Sequence, residues 1–193
     1  NHLMVLPDAI PAMTAQNVAA SMSGCAGQRC MAASAMIGVG NVDSIIDKIC
    51  EEARKIVPGE NLGAVINKES QDRIERYITE AEKDGAKILV DGRNTKVAGK
   101  EGGTYVGPTV IDYVKPGMSV ATEEIFGPVI SIMRTNTVDE ALAIENANPY
   151  GNAASVFTQH GAIARYLIEK ASAGMLGVNV GVPVPREPFS FGG

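Results

Sequence analysis

The sequence predicts an α/β domain built on a mainly parallel sheet covered by helices, and three observations carry that expectation. Stretches with helical spacing of apolar residues alternate with short strand-like runs, the pattern of parallel strands joined by crossover helices. The composition, 45% hydrophobic with 21 glycines, no tryptophan and 5% aromatic residues, is that of a loop-rich globular chain. At 193 residues the chain can close one well-buried core without cross-links.

Leu3-Met4-Val5-Leu6 reads as the first strand. Val42, Ile45, Ile46, Ile49, Ala53, Ile56 and Val57 recur at helical spacing, with Asn41 placed as N-cap and Pro58-Gly59 as the stop. A second helical stripe, Ile74, Tyr77, Ile78 and Ala81, runs toward Gly85, a residue suited to the left-handed turn that ends helices, and Lys87 to Asp91 follows as a strand. Val129 to Met133 is strand-like, and Thr137-Val-Asp-Glu140 has the spacing of a capping box opening a helix with Val138, Ala141 and Leu142. Ala154 to Thr158 is again a strand, a helix with Ile163, Tyr166 and Leu167 comes next, and Met175 to Val180 closes the alternation. The Gly- and Lys-rich segment from Asn94 to Pro108 breaks the periodicity and reads as a surface excursion inside a single domain spanning residues 1–193.

Seventeen Lys and Arg against 22 Asp and Glu give a net charge of −5, which disfavours a nucleic-acid binder or a partner of anionic membranes. The apolar stretches are short and interrupted, and Asn1-His2 opens the chain without a basic segment followed by an apolar one. Neither a membrane span nor a secretory signal is predicted, and the chain reads as soluble. Three cysteines, an odd number with no C-x-x-C pair, point to a reducing compartment: the cytoplasm, or the mitochondrial matrix for a eukaryotic source. His2 and His160 lie far from the cysteines and no metal-type spacing occurs, so no metal is expected and thiol chemistry here is nucleophilic.

Ala26-Gly-Gln-Arg-Cys30-Met-Ala-Ala33 places a thiol after a flexible glycine and before a small-residue run that can form a helical turn. A cysteine at a helix N-terminus meets free N–H groups and the positive end of the dipole, which favour thiolate and stabilise an oxyanion on an attached carbonyl. The alternative is a buried structural cysteine. Arg29 leans against that alternative, because a guanidinium sits poorly in an apolar core but binds a carboxylate in a bidentate fork.

Gly27-Gln28-Arg29-Cys30 resembles the nucleophile motif of the NAD(P)-dependent aldehyde dehydrogenase superfamily, and Glu123-Glu-Ile-Phe-Gly-Pro-Val129 resembles its second signature. Asn148-Pro-Tyr-Gly151, Gly177-Val-Asn-Val180 and Phe191-Gly-Gly193 follow in that family's order, so the resemblance runs over essentially the whole chain. It implies the three-layer catalytic domain of that fold, with the Rossmann-like cofactor domain and a bridging segment lying outside this chain. It implies that Cys30 attacks the aldehyde, that hydride passes to NAD, and that the thioester is released to water or to coenzyme A. It further implies that Glu124 holds the nicotinamide ribose and that Phe126 packs near the nicotinamide ring.

Asn1-His2, Tyr150-Gly-Asn152 and the tail from Val178 through Pro183, Pro185 and Phe191 are similar to the coenzyme A-acylating branch of the superfamily, which takes malonate- and methylmalonate-type semialdehydes. In that branch Arg29 faces the substrate carboxylate, and Phe191 lines the substrate site. Arg186-Glu187 departs from the small or apolar residues expected there.

Cys25 is expected to pack in the core or the loop, Cys50 to lie in the core, and His160 to sit at the surface where a strand ends. The resemblance also implies a homo-oligomer whose sheet edges are covered by a partner subunit. Two other readings remain at the level of sequence: a hydrolytic aldehyde dehydrogenase that releases the free acid, and a non-catalytic binding or assembly domain.

Overall fold

A computed structural model describes residues 1–188 of the chain. Seven strands form one sheet in the order β3-β4-β5-β2-β1-β6-β7. They are β1 (His2–Val5), β2 (Ala35–Val39), β3 (Lys87–Val90), β4 (Thr109–Asp112), β5 (Val129–Thr135), β6 (Ala153–Phe157) and β7 (Met175–Val178). Every neighbouring pair is parallel except β3 and β4, so one antiparallel strand finishes an otherwise parallel sheet.

Both faces are covered by helices. Leu3 and Val5 of β1 point to one side, where they join Ala15, Val18 and Met22 of α1 (Pro11–Ser23) and Ile45 and Ile49 of α2 (Asp43–Arg54). Met4, between them, points to the other side, toward Ile74 and Ile78 of α3 (Lys68–Lys83), Ala141 of α5 (Val138–Ala147) and Leu167 of α6 (Gly161–Lys170). A short α4 (Ser119–Thr122) precedes β5. The three-layer α/β arrangement is therefore the one expected. Strands β1 and β2 are buried along their whole length, as the middle of a parallel sheet must be.

Local chemistry sets the element ends. The Asn67 side chain caps α3 by accepting the Ser70 N–H at 2.8 Å, and Gly85 takes φ +95° just after that helix. The capping box is formed: Thr137 Oγ1 accepts the Glu140 N–H at 3.2 Å while Glu140 Oε2 accepts the Thr137 N–H at 3.3 Å. At α2 the expectation is corrected by one residue. Val42 is the N-cap, and Asn41 serves from one place earlier by accepting the Asp43 N–H at 3.1 Å. The 94–108 excursion is also less superficial than its composition implies. Residues 105–108 are buried, and the Gly107 N–H donates to Gly92 O at 2.9 Å, closing the loop on itself.

One buried ion pair braces the sheet. Arg134 on β5 donates to both carboxylate oxygens of Asp112 on β4, at 3.0 and 2.8 Å, and reaches Asp43 at 2.6 Å. Asp112 is only 2% exposed, so the fork supplies the charge partner that burial demands.

Candidate active site

The cleft lies at the amino ends of the strands, formed by the segments that lead into β1, β2, β5 and β6. It encloses about 400 Å³ and is lined by Asn1, His2, Gly27, Arg29 and Cys30 from the first two lead-ins, by Glu124, Ile125 and Phe126 from the third, and by Asn148, Tyr150 and Asn152 from the fourth.

Cys30 reaches this cleft by a turn, and here the helical expectation fails. The small residues after the thiol do not form a helical turn. They run through a turn, closed by the Ala32 N–H donating to Arg29 O at 3.1 Å, and then enter β2. The helix lies before the thiol: α1 ends at Ser23, and Cys25, Ala26 and Gly27 all take positive φ, at 54°, 54° and 69°. This left-handed stretch reverses the chain. Cys30 does not start a helix, so the expectation of a thiol at a helix N-terminus is corrected. Cys30 is exposed at the turn.

The two signature segments meet through their glycines. A methyl group at Gly27 would stand 2.0 Å from the Gly127 carbonyl oxygen, so the two backbones are in direct contact and only glycine fits. Ile125, 2% exposed, anchors the second segment, leaving Glu124 exposed and Phe126 half-buried on either side. Phe126 has φ 55°, and Arg73 Nη1 donates to the Glu124 carbonyl at 3.3 Å. Glu124 and Phe126 thus share one cleft with Cys30.

Arg29 is half-buried and lies across Gly24, where a methyl would stand 2.9 Å from Nη2. Its Nη2 donates to Ser21 O at 3.3 Å, its buried Nε has no hydrogen-bond partner, and no carboxylate among the described residues pairs with it. Arg93 and Arg134, by contrast, are both held by aspartates.

The Asn1 side chain donates to Cys30 O at 2.7 Å and to Ala32 O at 2.8 Å, and accepts the Ala153 N–H at 3.1 Å. Asn152 Nδ2 donates to Cys30 O at 3.2 Å and to Met31 Sδ at 2.9 Å. Sequence reasoning marked both asparagines only as motif positions, because their partners are far away in the chain. His2, 5% exposed, lines the cleft, and burial pushes its imidazole down to about 4.

Other candidates fall elsewhere. Cys50 is buried in the core as expected, whereas Cys25 is exposed rather than packed, because the left-handed turn carries its side chain outward. His160 is exposed at the N-cap of α6. Asn179 is structural: its side chain accepts the Thr158 N–H at 3.0 Å and donates to Thr158 O at 2.9 Å, prolonging the pairing of β6 with β7. Phe191 lies outside the described residues.

A model of the aldehyde dehydrogenase family matches residues 1–193. The methylmalonate-semialdehyde/malonate-semialdehyde dehydrogenase [acylating], mitochondrial, of Rattus norvegicus is 44% identical over all of this chain and 37% of its own length. The crystal structure of methylmalonate-semialdehyde dehydrogenase from Oceanimonas doudoroffii superposes with a TM-score of 0.96 at 38% identity, covering 100% of this chain and 41% of that one. That of an indole-3-acetaldehyde dehydrogenase complexed with NAD+ gives 0.87 at 31% identity, covering 93% and 38%. The chain spans about 38% of the length of the curated relatives it matches.

Proposed function

The chain belongs to the aldehyde dehydrogenase family, and on that premise we propose that it is the nucleophile-bearing catalytic domain of an NAD-dependent enzyme. That enzyme oxidises a malonate- or methylmalonate-type semialdehyde and passes the acyl group to coenzyme A. The observation that carries this reading is the Gly27–Gly127 contact, which gives an exposed thiol, an unpaired guanidinium and the Glu124–Phe126 pair one common cleft.

The Cys30 thiolate attacks the aldehyde carbon and forms a thiohemiacetal. Arg29 lines the cleft with no carboxylate among the described residues paired to it, and its guanidinium holds the substrate carboxylate and so orients the aldehyde on the thiol. NAD, when bound, supplies the acceptor for the hydride that leaves the thiohemiacetal carbon. The residues present suit it: Phe126 offers a half-buried aromatic face and Glu124 an exposed carboxylate for a ribose diol. The resulting Cys30 thioester is attacked by the thiol of coenzyme A, which takes the acyl group and returns Cys30 to thiolate. The acylating relatives support coenzyme A over water as acceptor.

The rat relative is named mitochondrial, and we assign that compartment to this chain if its source is a eukaryote, and the cytoplasm otherwise. A homo-oligomer is part of the same reading, since β7 is left at the edge of the sheet.

Alkylation of this chain tests the reading, with exposed Cys25 as the internal reference. Iodoacetamide labels Cys30 at least tenfold faster than Cys25, and malonate semialdehyde protects Cys30 alone. Equal rates at the two thiols would favour the non-catalytic domain. In an enzyme containing this domain, semialdehyde, NAD and coenzyme A together yield NADH and an acyl-coenzyme A, whereas a free acid would favour the hydrolytic reading.

A further inference from the structure

We propose that Asn152 is a positioning residue for the Cys30 nucleophile, an inference that rests on the reading of Cys30 given above. Its amide reaches the nucleophile's main chain from 122 positions away. One N–H goes to Cys30 O at 3.2 Å and the amide also reaches Met31 Sδ at 2.9 Å, so the group is tied on both sides of the Cys30–Met31 peptide. Met31 is 5% exposed, which makes its sulfur a fixed point rather than a mobile one.

The Cys30 carbonyl is shared. Asn1 approaches it from the lead-in to β1 at 2.7 Å, and Asn152 from the lead-in to β6. Those strands are paired, His2 beside Ala154, so both donors are set by one ladder. A carbonyl held by two donors fixes its peptide plane. That plane sets ψ of Cys30, and with it the direction in which Cβ and Sγ project into the cleft. The turn that carries the thiol is closed by the Ala32 N–H donating to Arg29 O at 3.1 Å and anchored by buried Met31, and the two amides act on the one carbonyl next to the thiol that this closure leaves to them. Attack on a carbonyl demands a defined approach, and losing it costs rate rather than affinity.

The test separates attack on an ester bound in the cleft from alkylation by a reagent that aligns itself from solution, on this chain, using p-nitrophenyl acetate and iodoacetamide. With the ester, Cys30 Sγ bonds to the acetyl carbon, the C–O bond breaks, p-nitrophenolate leaves as a coloured burst, and the thiol proton goes to buffer. Asn152→Leu, close in volume but without donors, lowers the acylation rate at saturating ester at least tenfold. The half-saturating ester concentration and the iodoacetamide rate at Cys30 both stay within twofold of wild type. Asn152→Gln, which keeps the amide, recovers most of the lost rate, and Asn152→Ala repeats the loss if leucine is not accommodated. A structural defect would slow both reagents together, and that result, or wild-type acylation in Asn152→Leu, overturns the inference. A wild-type chain that gives no burst would instead overturn the nucleophile reading, and this inference with it.

Discussion

Gly27 and Gly127 touch backbone to backbone, the one bearing on the carbonyl of the other where a methyl group would stand 2.0 Å away. Gly27 also has φ +69°, so alanine there meets both a steric and a conformational penalty. Gly27→Ala is expected to destabilise the fold by roughly 2–4 kcal/mol. Urea unfolding measures this, and a midpoint unchanged from wild type would mean that the seam yields freely.

Arg134 and Asp112 supply a second stability test. Arg134→Leu leaves a carboxylate that is 2% exposed without its partner, and is expected to cost roughly 3–5 kcal/mol. Asp43→Ala, which removes only the exposed contact of the same guanidinium, should cost under about 1 kcal/mol. The two denaturation midpoints decide between a buried fork and a solvated one.

His2 gives the fold a pH dependence whose sign is fixed. Its folded value of about 4 lies below the ordinary 6.5, so between those limits the unfolded chain binds the extra proton. Stability from His2 is complete above pH 6.5 and is lost as pH falls toward 4, by about 3 kcal/mol. Glu145, buried and raised by that burial, acts with the opposite sign, losing its contribution as pH rises. The difference between wild type and His2→Asn in urea titrations at pH 4 and pH 7 isolates the imidazole. Equal differences at both pH values would refute the assignment.

Arg29 separates recognition of the substrate from activation of the thiol. In the enzyme containing this domain, Arg29→Leu is expected to lower kcat/KM for malonate-type semialdehydes by roughly 2–4 kcal/mol. Propionaldehyde, which has no carboxylate, should lose much less. Equal losses for the two aldehydes would assign Arg29 to the nucleophile and remove the main support for a carboxylated substrate.

Much of this fold is legible in the sequence because α2, α3 and α6 carry apolar stripes and α5 opens on a formed capping box. What escapes has a physical reason in each case. Helix α1 buries Thr14, Ala15, Ala19 and Ser21 beside Val18 and Met22, so small and polar residues share its inner face and no stripe stands out. Strand β2 continues the small-residue run after Cys30 that reads as a helical turn, and β4 begins at Thr109, directly after the irregular excursion that ends at Pro108. At the site, the family resemblance implied roles for Cys30, Arg29, Glu124 and Phe126, and all four line one cleft. The left-handed reversal at Cys25 and Ala26 was hidden, because neither residue type asks for positive φ. The tasks of Asn1 and Asn152 were hidden as well, since they depend on a pairing between the two ends of the chain.

That pairing has a consequence for the order of folding. The ladder between β1 and β6 joins residues about 150 positions apart, the kind of contact that forms late because the intervening chain must first be organised. Asn152 reaches Cys30 O only when that ladder closes, whereas Asn1 reaches it beside the shorter-range pairing of β1 with β2. Until then the Cys30 carbonyl has only the nearer of its two amide donors. If Cys30 is the nucleophile and Asn152 positions it, the burst with p-nitrophenyl acetate is expected to appear during refolding no earlier than the closing of the β1–β6 ladder.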